Sequence, residues 1–492
     1  MRLSHILKNE EILSLEKPAD RKIGKPHADS RKITEGDVFF CEDGFHESGF
    51  AYAVRAAEQG ASYIVTHRGG ARRIGRLPIP VLEVENVRKA YALAWSRYQN
   101  EPERSLRLLA VTGTNGKTSV SSFLHALFQT ADIPAGLIGT VAYSDGKTER
   151  PSDYTTPPPD MLYPLFSDMK KANCRFAVME ASSHAIAQNR LHGLSFETAV
   201  FTGLSHDHLD YHKTWDAYRD TKASLFGNAK NAVINIDDTS AGYMAFAAAG
   251  DVYYFGQKPE ADFYIESPVC TADGIRYILR TDGKTLKISI PIIGNFHIYN
   301  TAAAIAAAYL SGISAETLEN ASSALKAPTG RLEKLNTDTD FSVYIDYAHT
   351  PDALVKVLLS LRPFTKKLTV LFGAGGERDR GKRPEMGAAA EAFADLVILT
   401  SDNPRGESPS AILDDIEQGM KRQNRIRIEN RAEAIGYALE QAEAGEIILL
   451  AGKGHENYTA VGNEKTAFSE REIVYRILNH NRKGNDNVSQ LE

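Results

Sequence analysis

The chain has 492 residues, 42% hydrophobic and 24% charged, a composition that supports about three domains at roughly 100–200 residues each. Its formal net charge of -6 argues against a nonspecific nucleic-acid binder, which needs a basic surface, yet leaves room for an anionic small molecule met by local positive charge. The three cysteines, Cys41, Cys174 and Cys270, are far apart with no CxxC, which argues against a disulfide framework or a cysteine-rich zinc site and fits a reducing cytosol.

Met1 to Asp20 alternates charges with short apolar pairs, so no signal peptide is expected. No uncharged apolar run reaches the length of a membrane span. In residues 1–102, Asp37–Cys41 and Ser62–Thr66 read as strands, Phe50–Gln59 and Val87–Tyr98 as helices, and Asn100–Glu103 as a linker. Residues 103–329 open with a strand, Leu106–Val111, a glycine-rich turn and an amphipathic helix carrying Val120, Phe123, Leu124 and Leu127 on one side. Further strands are predicted at Phe176–Met179, Ala199–Phe201 and Ala232–Ile234. Residues 330–492 repeat the alternation, with strands at Leu368–Phe372, Leu396–Leu399 and Ile447–Leu450 and a polar tail, Asn479–Glu492, expected to lack structure. Strands alternating with helices imply parallel sheets covered on both faces.

The strongest local signal is Gly113-Thr114-Asn115-Gly116-Lys117-Thr118-Ser119, between a predicted strand and helix. Glycines let backbone N–H groups turn toward phosphate oxygens, and the helix N-terminus adds partial positive charge. Lys117 suits the β- and γ-phosphates and Thr118 suits Mg²⁺. The motif is imperfect, because Val111 stands where its first glycine belongs. Glu180 and the segment His206-Asp207-His208-Leu209-Asp210-Tyr211-His212 follow later strands. Ligands bind at such carboxyl ends, and a carboxylate with an imidazole there suits Mg²⁺ bridging phosphates. Three histidines in seven residues also invite zinc, but no HExxH is present. In the third unit Gly373-Ala374-Gly375-Gly376 follows a strand, but Arg378 occupies the last glycine of a dinucleotide fingerprint. The cationic run to Pro384 reads equally as a solvated loop or as a carboxylate or phosphate site. Gly452-Lys453-Gly454-His455-Glu456 carries the same ambiguity.

Taken in order, the motifs resemble the Mur ligases over nearly the whole chain. They are Asp29-Ser30-Arg31, GTNGKTS, Thr155-Thr156-Pro157, Glu180 to His184, Asp207 to His212, Tyr218 to Phe226 around Lys222, Gly330 to Glu333, Asp346 to Pro351, Asp402-Asn403-Pro404-Arg405 and GKGHE. The fold class implied is α/β in three domains: a small N-terminal α/β domain for a UDP-sugar, a central P-loop ATPase-like α/β domain for ATP, and a C-terminal Rossmann-like α/β domain for an amino acid. The resemblance implies amide-bond formation through an acyl phosphate. ATP would meet Gly113, Thr114, Asn115, Gly116, Lys117, Thr118, Ser119, Asn300, Arg331 and Asp346. Mg²⁺ would be held by Thr118, Glu180, His208 and a carbamylated Lys222, and Lys117, Glu180, His208 and Lys222 would be the catalytic set. A UDP-muramoyl dipeptide would contact Ser30, Thr155, Thr156, Ser182, Gln188 and Arg190. The tetrapeptide Asp402-Asn403-Pro404-Arg405 is the family pattern of enzymes that add meso-diaminopimelate, which would also meet Arg378, Gly452 and Glu456; lysine-adding members carry another tetrapeptide. The expected partners are therefore small molecules, with no nucleic acid and no membrane span, for a cytoplasmic monomer. Departures from the family pattern are Ser48-Gly49-Phe50 for an Asp-Gly-His stretch, Tyr154 for asparagine, and His297 for a second asparagine beside Asn300; the first two bear on the acceptor. Other readings are a folylpolyglutamate or cyanophycin-type ligase, a lysine-adding member, a relative with a modified acceptor, or a non-catalytic nucleotide-binding protein.

Overall fold

The computed structural model describes residues 1–13, 18–42, 49–462 and 464–488, the last eight of these by backbone alone. Ser48, one of the departures above, lies outside the described residues. The first unit is a four-stranded parallel sheet in the order β1 (Pro26–His27), β2 (Val38–Phe40), β3 (Tyr63–His67) and β4 (Val81–Val84). Residues alternate sides in a strand. Phe39 and Ile64 accordingly pack with Ala53 and Ala56 of one helix, while Phe40, Tyr63 and Val65 pack with Tyr91, Ala94 and Trp95 of the helix Val87–Tyr98. The expected helix Phe50–Gln59 is instead a 3₁₀ turn, Gly49–Tyr52, followed by a short α-helix, Ala53–Glu58.

The central sheet has eleven strands in the order β15-β14-β13-β12-β11-β10-β5-β9-β6-β7-β8. They are β5 (Arg107–Thr112), β6 (Ala135–Ile138), β7 (Ala142–Ser144), β8 (Glu149–Pro151), β9 (Phe176–Glu180), β10 (Phe196–Phe201), β11 (Ala229–Asn235), β12 (Asp251–Gly256), β13 (Phe263–Thr271), β14 (Gly274–Thr281) and β15 (Lys284–Ile290). β5 lies between β9 and β10, parallel to both, so their carboxyl ends bring Gly113, Glu180 and Thr202 to one edge. The helix Lys117–Thr130 buries Phe123, Leu124 and Leu127 against the alanine-rich helix Asn295–Leu310. The antiparallel wings β6–β7–β8 and β13–β14–β15 were not among the expected strands.

The third sheet has six strands in the order β16-β17-β21-β18-β19-β20: β16 (Glu333–Lys334), β17 (Ser342–Asp346), β18 (Leu368–Phe372), β19 (Leu396–Leu399), β20 (Arg425–Arg427) and β21 (Ile447–Ala451). All pairs are parallel except β16–β17. Helices Pro351–Leu361, Lys382–Phe393 and Pro409–Glu417 share one core, and Arg431–Glu440 and Glu470–Val488 share the other. A hairpin, β22 (Tyr458–Val461) with β23 (Glu464–Ala467), folds beside the carboxyl edge. The tail expected to lack structure is helical as far as Val488. Among the described residues no helix is long and apolar enough to cross a membrane.

Candidate active site

β5 ends at Thr112 and the chain turns at once into the helix Lys117–Thr130. The turn needs Gly116: its φ is 87°, and a Cβ there would lie 2.6 Å from Asn300 Oδ1. Lys117 Nζ folds back to donate to the Gly113 and Thr114 carbonyls at 3.0 and 2.9 Å. Lys222 Nζ, arriving from a separate helix, donates to the same Gly113 carbonyl at 2.8 Å. Two lysine Nζ atoms thus share one oxygen. Lys222 is 1% exposed; burial first, and then the charge of Lys117, push its pKa well below the usual lysine value.

Glu180, at the end of β9 and 1% exposed, accepts from the Thr118 hydroxyl at 3.0 Å, the Thr140 N–H at 2.7 Å and the Thr140 hydroxyl at 3.0 Å. Thr118 also accepts from Arg331 at 3.1 Å. His208 has a left-handed φ of 56° and stands 3.4 Å from Asp207. Burial pushes its imidazole down to about 4 against the opposing pull of Asp207, so the ring is neutral and able to donate a lone pair. Thr118 and Glu180 therefore touch, whereas His208 reaches the site from the next loop. Among the described residues no three His, Cys, Asp or Glu side chains are grouped to hold a metal ion.

Most of the residues that the resemblance assigns to the acceptor form a hydrogen-bonded chain. Thr140 and Thr155 hydroxyls meet at 3.0 Å. The Thr156 hydroxyl donates to the Glu180 carbonyl at 2.7 Å and accepts the Ser182 N–H at 3.0 Å. Arg190 donates to the Thr156 carbonyl at 2.6 Å and grips Gln188 Oε1 at 2.7 and 3.0 Å. Its guanidinium also sits 5.9 Å from the ring centroid of Tyr154. Ser30 is not part of this chain; it is buried in a 3₁₀ turn of the first domain capped by Asp29. Lys32 of that turn pairs with Asp160 of the central domain at 2.9 Å.

A pocket of about 490 Å³ opens beside the loop, lined by Asn115, Gly116, Ser119, Asn300, Arg331 and Asp346. Phe296, Tyr299, Asp237 and Lys356 also line it and were missed from the sequence, although Asp237 follows the carboxyl end of β11. Asp346 accepts the Leu332 and Ala348 N–H groups at 2.6 and 2.7 Å, and burial pushes its carboxyl up to about 6 against the opposing charge of Arg331. His297 is fully buried with its ring 5.6 Å from that of Phe123, so this departure from the family pattern belongs to the core.

A second cleft, about 660 Å³, runs between the central and third domains. Arg378, Asp402, Asn403, Arg405, Gly452 and Glu456 line it from one side, and His184, Asp207 and His208 from the other. Pro404 is not in the lining; its carbonyl accepts the Glu407 N–H at 3.0 Å and shapes the turn. Gly452 has φ 108°, and a Cβ there would lie 2.7 Å from Asp402 Oδ2. Arg405, at φ 49°, donates to the Gly376 carbonyl at 2.7 Å. Tyr347, His349 and Lys382 also line this cleft and were not assigned from the sequence; only the DYAHTP motif pointed at the first two.

Three family models match the chain: the Mur ligase middle domain at residues 111–308, the Mur ligase glutamate ligase domain at 330–454, and the Mur ligase family catalytic domain at 27–99. The chain is 40% identical over 454 residues to UDP-N-acetylmuramoyl-L-alanyl-D-glutamate--2,6-diaminopimelate ligase 1 of Clostridium acetobutylicum, covering 92% of this chain and 93% of that one. It is 37% identical over 483 residues to the 2,6-diaminopimelate ligase of the same description from Clostridium botulinum, with 97% and 99% covered. A solved UDP-N-acetylmuramoyl-L-alanyl-D-glutamate--2,6-diaminopimelate ligase superposes with a TM-score of 0.70 at 32% identity, covering 98% of this chain and 99% of that chain. A MurF ligase from Thermotoga maritima in complex with ADP, 17% identical with a TM-score of 0.62 over 92% and 96%, shares the fold. With matched segments in all three domains and similarity running almost end to end, the chain belongs to the Mur ligase family.

Proposed function

We propose that this protein is the ATP-dependent ligase that joins meso-diaminopimelate to UDP-N-acetylmuramoyl-L-alanyl-D-glutamate in cytoplasmic peptidoglycan precursor synthesis. The observation that carries this reading is the cleft between the second and third domains. It presents Arg378 and Arg405 together with Asp402 and Glu456. Diaminopimelate has two carboxylates and two amines, so a site with cations and anions side by side suits it, and arginine forks suit carboxylates. Residues 1–102 would hold the UDP-sugar, 103–329 ATP and 330–492 the amino acid, in a monomer acting on small molecules alone.

In this mechanism the D-glutamyl carboxylate attacks the γ-phosphorus of ATP, forming a C–O–P bond as ADP leaves. The amine of the amino acid then attacks the acyl carbon; the C–O bond breaks, inorganic phosphate departs and the amine loses a proton. Lys117 and the N–H groups at the start of its helix meet the charge spread over the transferring phosphoryl group. Asn300, Arg331 and Asp346 hold the nucleotide; Thr155, Thr156, Ser182, Gln188 and Arg190, with Ser30, hold the acceptor. Thr118, Glu180 and His208 supply a hydroxyl, a carboxylate and a neutral imidazole, a donor set that suits Mg²⁺, which when bound neutralises phosphate charge. Lys222 fits a carbamate: burial, and then the charge of Lys117, push its pKa well below the usual lysine value, which favours the uncharged amine that adds carbon dioxide, and the product would add a carboxylate to the donor set. The test is phosphate release from ATP with acceptor and amino acid present, and with each omitted in turn. Release that does not depend on the UDP-muramoyl dipeptide would overturn the reading.

A further inference from the structure

The turn after β21 holds a lysine to which the reaction above gives no part. Lys453 has no solvent exposure. Its Nζ donates to Asn403 Oδ1 at 3.1 Å and to the Tyr458 carbonyl at 2.9 Å, and stands 3.5 Å from Asp402 Oδ1. The Phe468 ring covers its other side, with the centroid 5.5 Å from Nζ. A buried ammonium is costly unless hydrogen bonds and counter-charge offset it.

What those bonds accomplish is visible at Asn403. Its Oδ1 accepts both Lys453 Nζ and the Ala460 N–H, the latter at 2.9 Å. Two donors on one oxygen fix which way the amide faces. The Nδ2 is thereby turned to Glu456, whose Oε2 accepts it at 2.7 Å. The other oxygen, Oε1, takes a long contact of 3.4 Å from the Tyr347 hydroxyl, and Glu456 lines the cleft.

The charges lead to the same arrangement. Burial first, and then the charge of Asp402, push the Glu456 carboxyl up; the Asn403 hydrogen bond, Lys453 and Arg405 oppose them. Tyr347 and Tyr458 also face Glu456. Arg431 and Glu470 face Lys453 from the helix side and pair with each other at 2.7 Å. Lys453 and Arg405 are therefore the cations that oppose the upward push on Glu456; burial draws the pKa of Lys453 itself down, and Asp402 is the first of the charges that oppose this.

We infer that Lys453 is a positioning residue of the amino-acid site: through Asn403, and as counter-charge to Asp402, it keeps the Glu456 side chain aimed into the cleft to receive the ammonium of the incoming amino acid that does not react. The reacting amine must be neutral to attack carbon, so a carboxylate serves the other one. This rests on the reading of the protein as a diaminopimelate ligase.

The test uses the full chain with ATP, the UDP-muramoyl dipeptide and meso-diaminopimelate, and follows kcat/KM for the amino acid against pH. In Lys453→Met the acid limb moves up by about one pH unit or more. KM for diaminopimelate rises about tenfold or more, because moving the limb by one pH unit lowers the ionised fraction on that limb by a factor of ten. KM for ATP and for the acceptor stays within about twofold, which a general loss of structure would not permit. In a Glu456→Gln background the same change adds no more than about twofold, because the carboxylate it serves is gone. Lys453→Gln, which keeps an N–H donor for Asn403 Oδ1 and the Tyr458 carbonyl but removes the charge, moves the limb the same way and carries the test alone if Lys453→Met does not fold. An unmoved limb, or equal losses with and without Glu456, overturns the inference. A wild-type protein inactive with diaminopimelate overturns the reading beneath it instead.

Discussion

Replacing Arg405 by alanine separates recognition of diaminopimelate from the rest of the reaction. The backbone of Arg405 is held at φ 49° by its N–H to the Ala460 carbonyl at 3.0 Å and by the Gly462 N–H to its own carbonyl at 2.8 Å. Alanine can keep both bonds, so the loss falls on the guanidinium. Folding loses the bond to the Gly376 carbonyl, about 1 kcal/mol. Binding loses a charge-assisted pair with the carboxylate that distinguishes diaminopimelate from lysine. Truncating one member of such a partly desolvated pair costs about 2–5 kcal/mol, which is roughly 30- to 5,000-fold in kcat/KM. Lysine has no carboxylate there, and in the wild type it meets an unpaired arginine beside its own ammonium. Turnover of lysine is therefore expected to be weak, and should change by less than about fivefold in the variant, because no contact is removed. Arg405→Lys should recover only part of the loss, since an ammonium cannot form the paired contact. The assay is phosphate release with saturating ATP and acceptor while each amino acid is varied. Equal use of both amino acids by the wild type, or an unchanged ratio in Arg405→Ala, would refute the reasoning.

Lys117→Ala should lower kcat by about 10²–10³ or more with the fold intact by circular dichroism; near-normal turnover would remove Lys117 from the mechanism. Lys222→Ala should be inactive and partly rescued by a short carboxylic acid standing in for the carbamate, and an intact-mass spectrum of the active enzyme lacking any carbamate after trapping would count against the modification. Burial holds the Asp346 carboxyl up at about 6, whereas an unfolded aspartate titrates near about 4. Between those values the folded chain binds more protons, so the stability this group contributes is present below about pH 4 and is lost as pH rises through about 6. Melting temperatures of wild type and Asp346→Asn should therefore diverge in favour of wild type as pH falls through that window; a constant difference would show that the group does not titrate there.

Much of this protein is local and therefore legible in one dimension. Leu106–Val111, GTNGKTS and the helix behind them are a run of apolar residues, a turn that needs glycine and an amphipathic repeat, and each property lies within a few residues of itself. The same holds for the cores of β9, β10, β18, β19 and β21, which are continuous apolar runs. The wing β13–β14–β15 is hard to read because β15 alternates exposed residues with buried Leu286, Ile288 and Ile290, and β13 buries only Phe263 and Ile265, a weaker pattern than a fully buried strand. The motif Asp402–Arg405 and the GKGHE turn could each be found alone, but not their meeting. β19 and β21 are separated in the sheet by β18, and only the closing of their loops over it sets Asn403 against Glu456. His297 could be recognised as a departure from a family pattern, but only the packing of two helices puts it in the core rather than in the pocket beside the loop. Lys222 is the sharpest case. It lies 110 residues from Thr112; the pattern Tyr218 to Phe226 marks it through the family resemblance, but no local property of that stretch shows that the side chain is buried. Residue types and local periodicity are written in the sequence; desolvation and the fields of distant charges arise only when the chain folds, and those set in which direction each buried lysine and carboxylate is shifted and what each can bind.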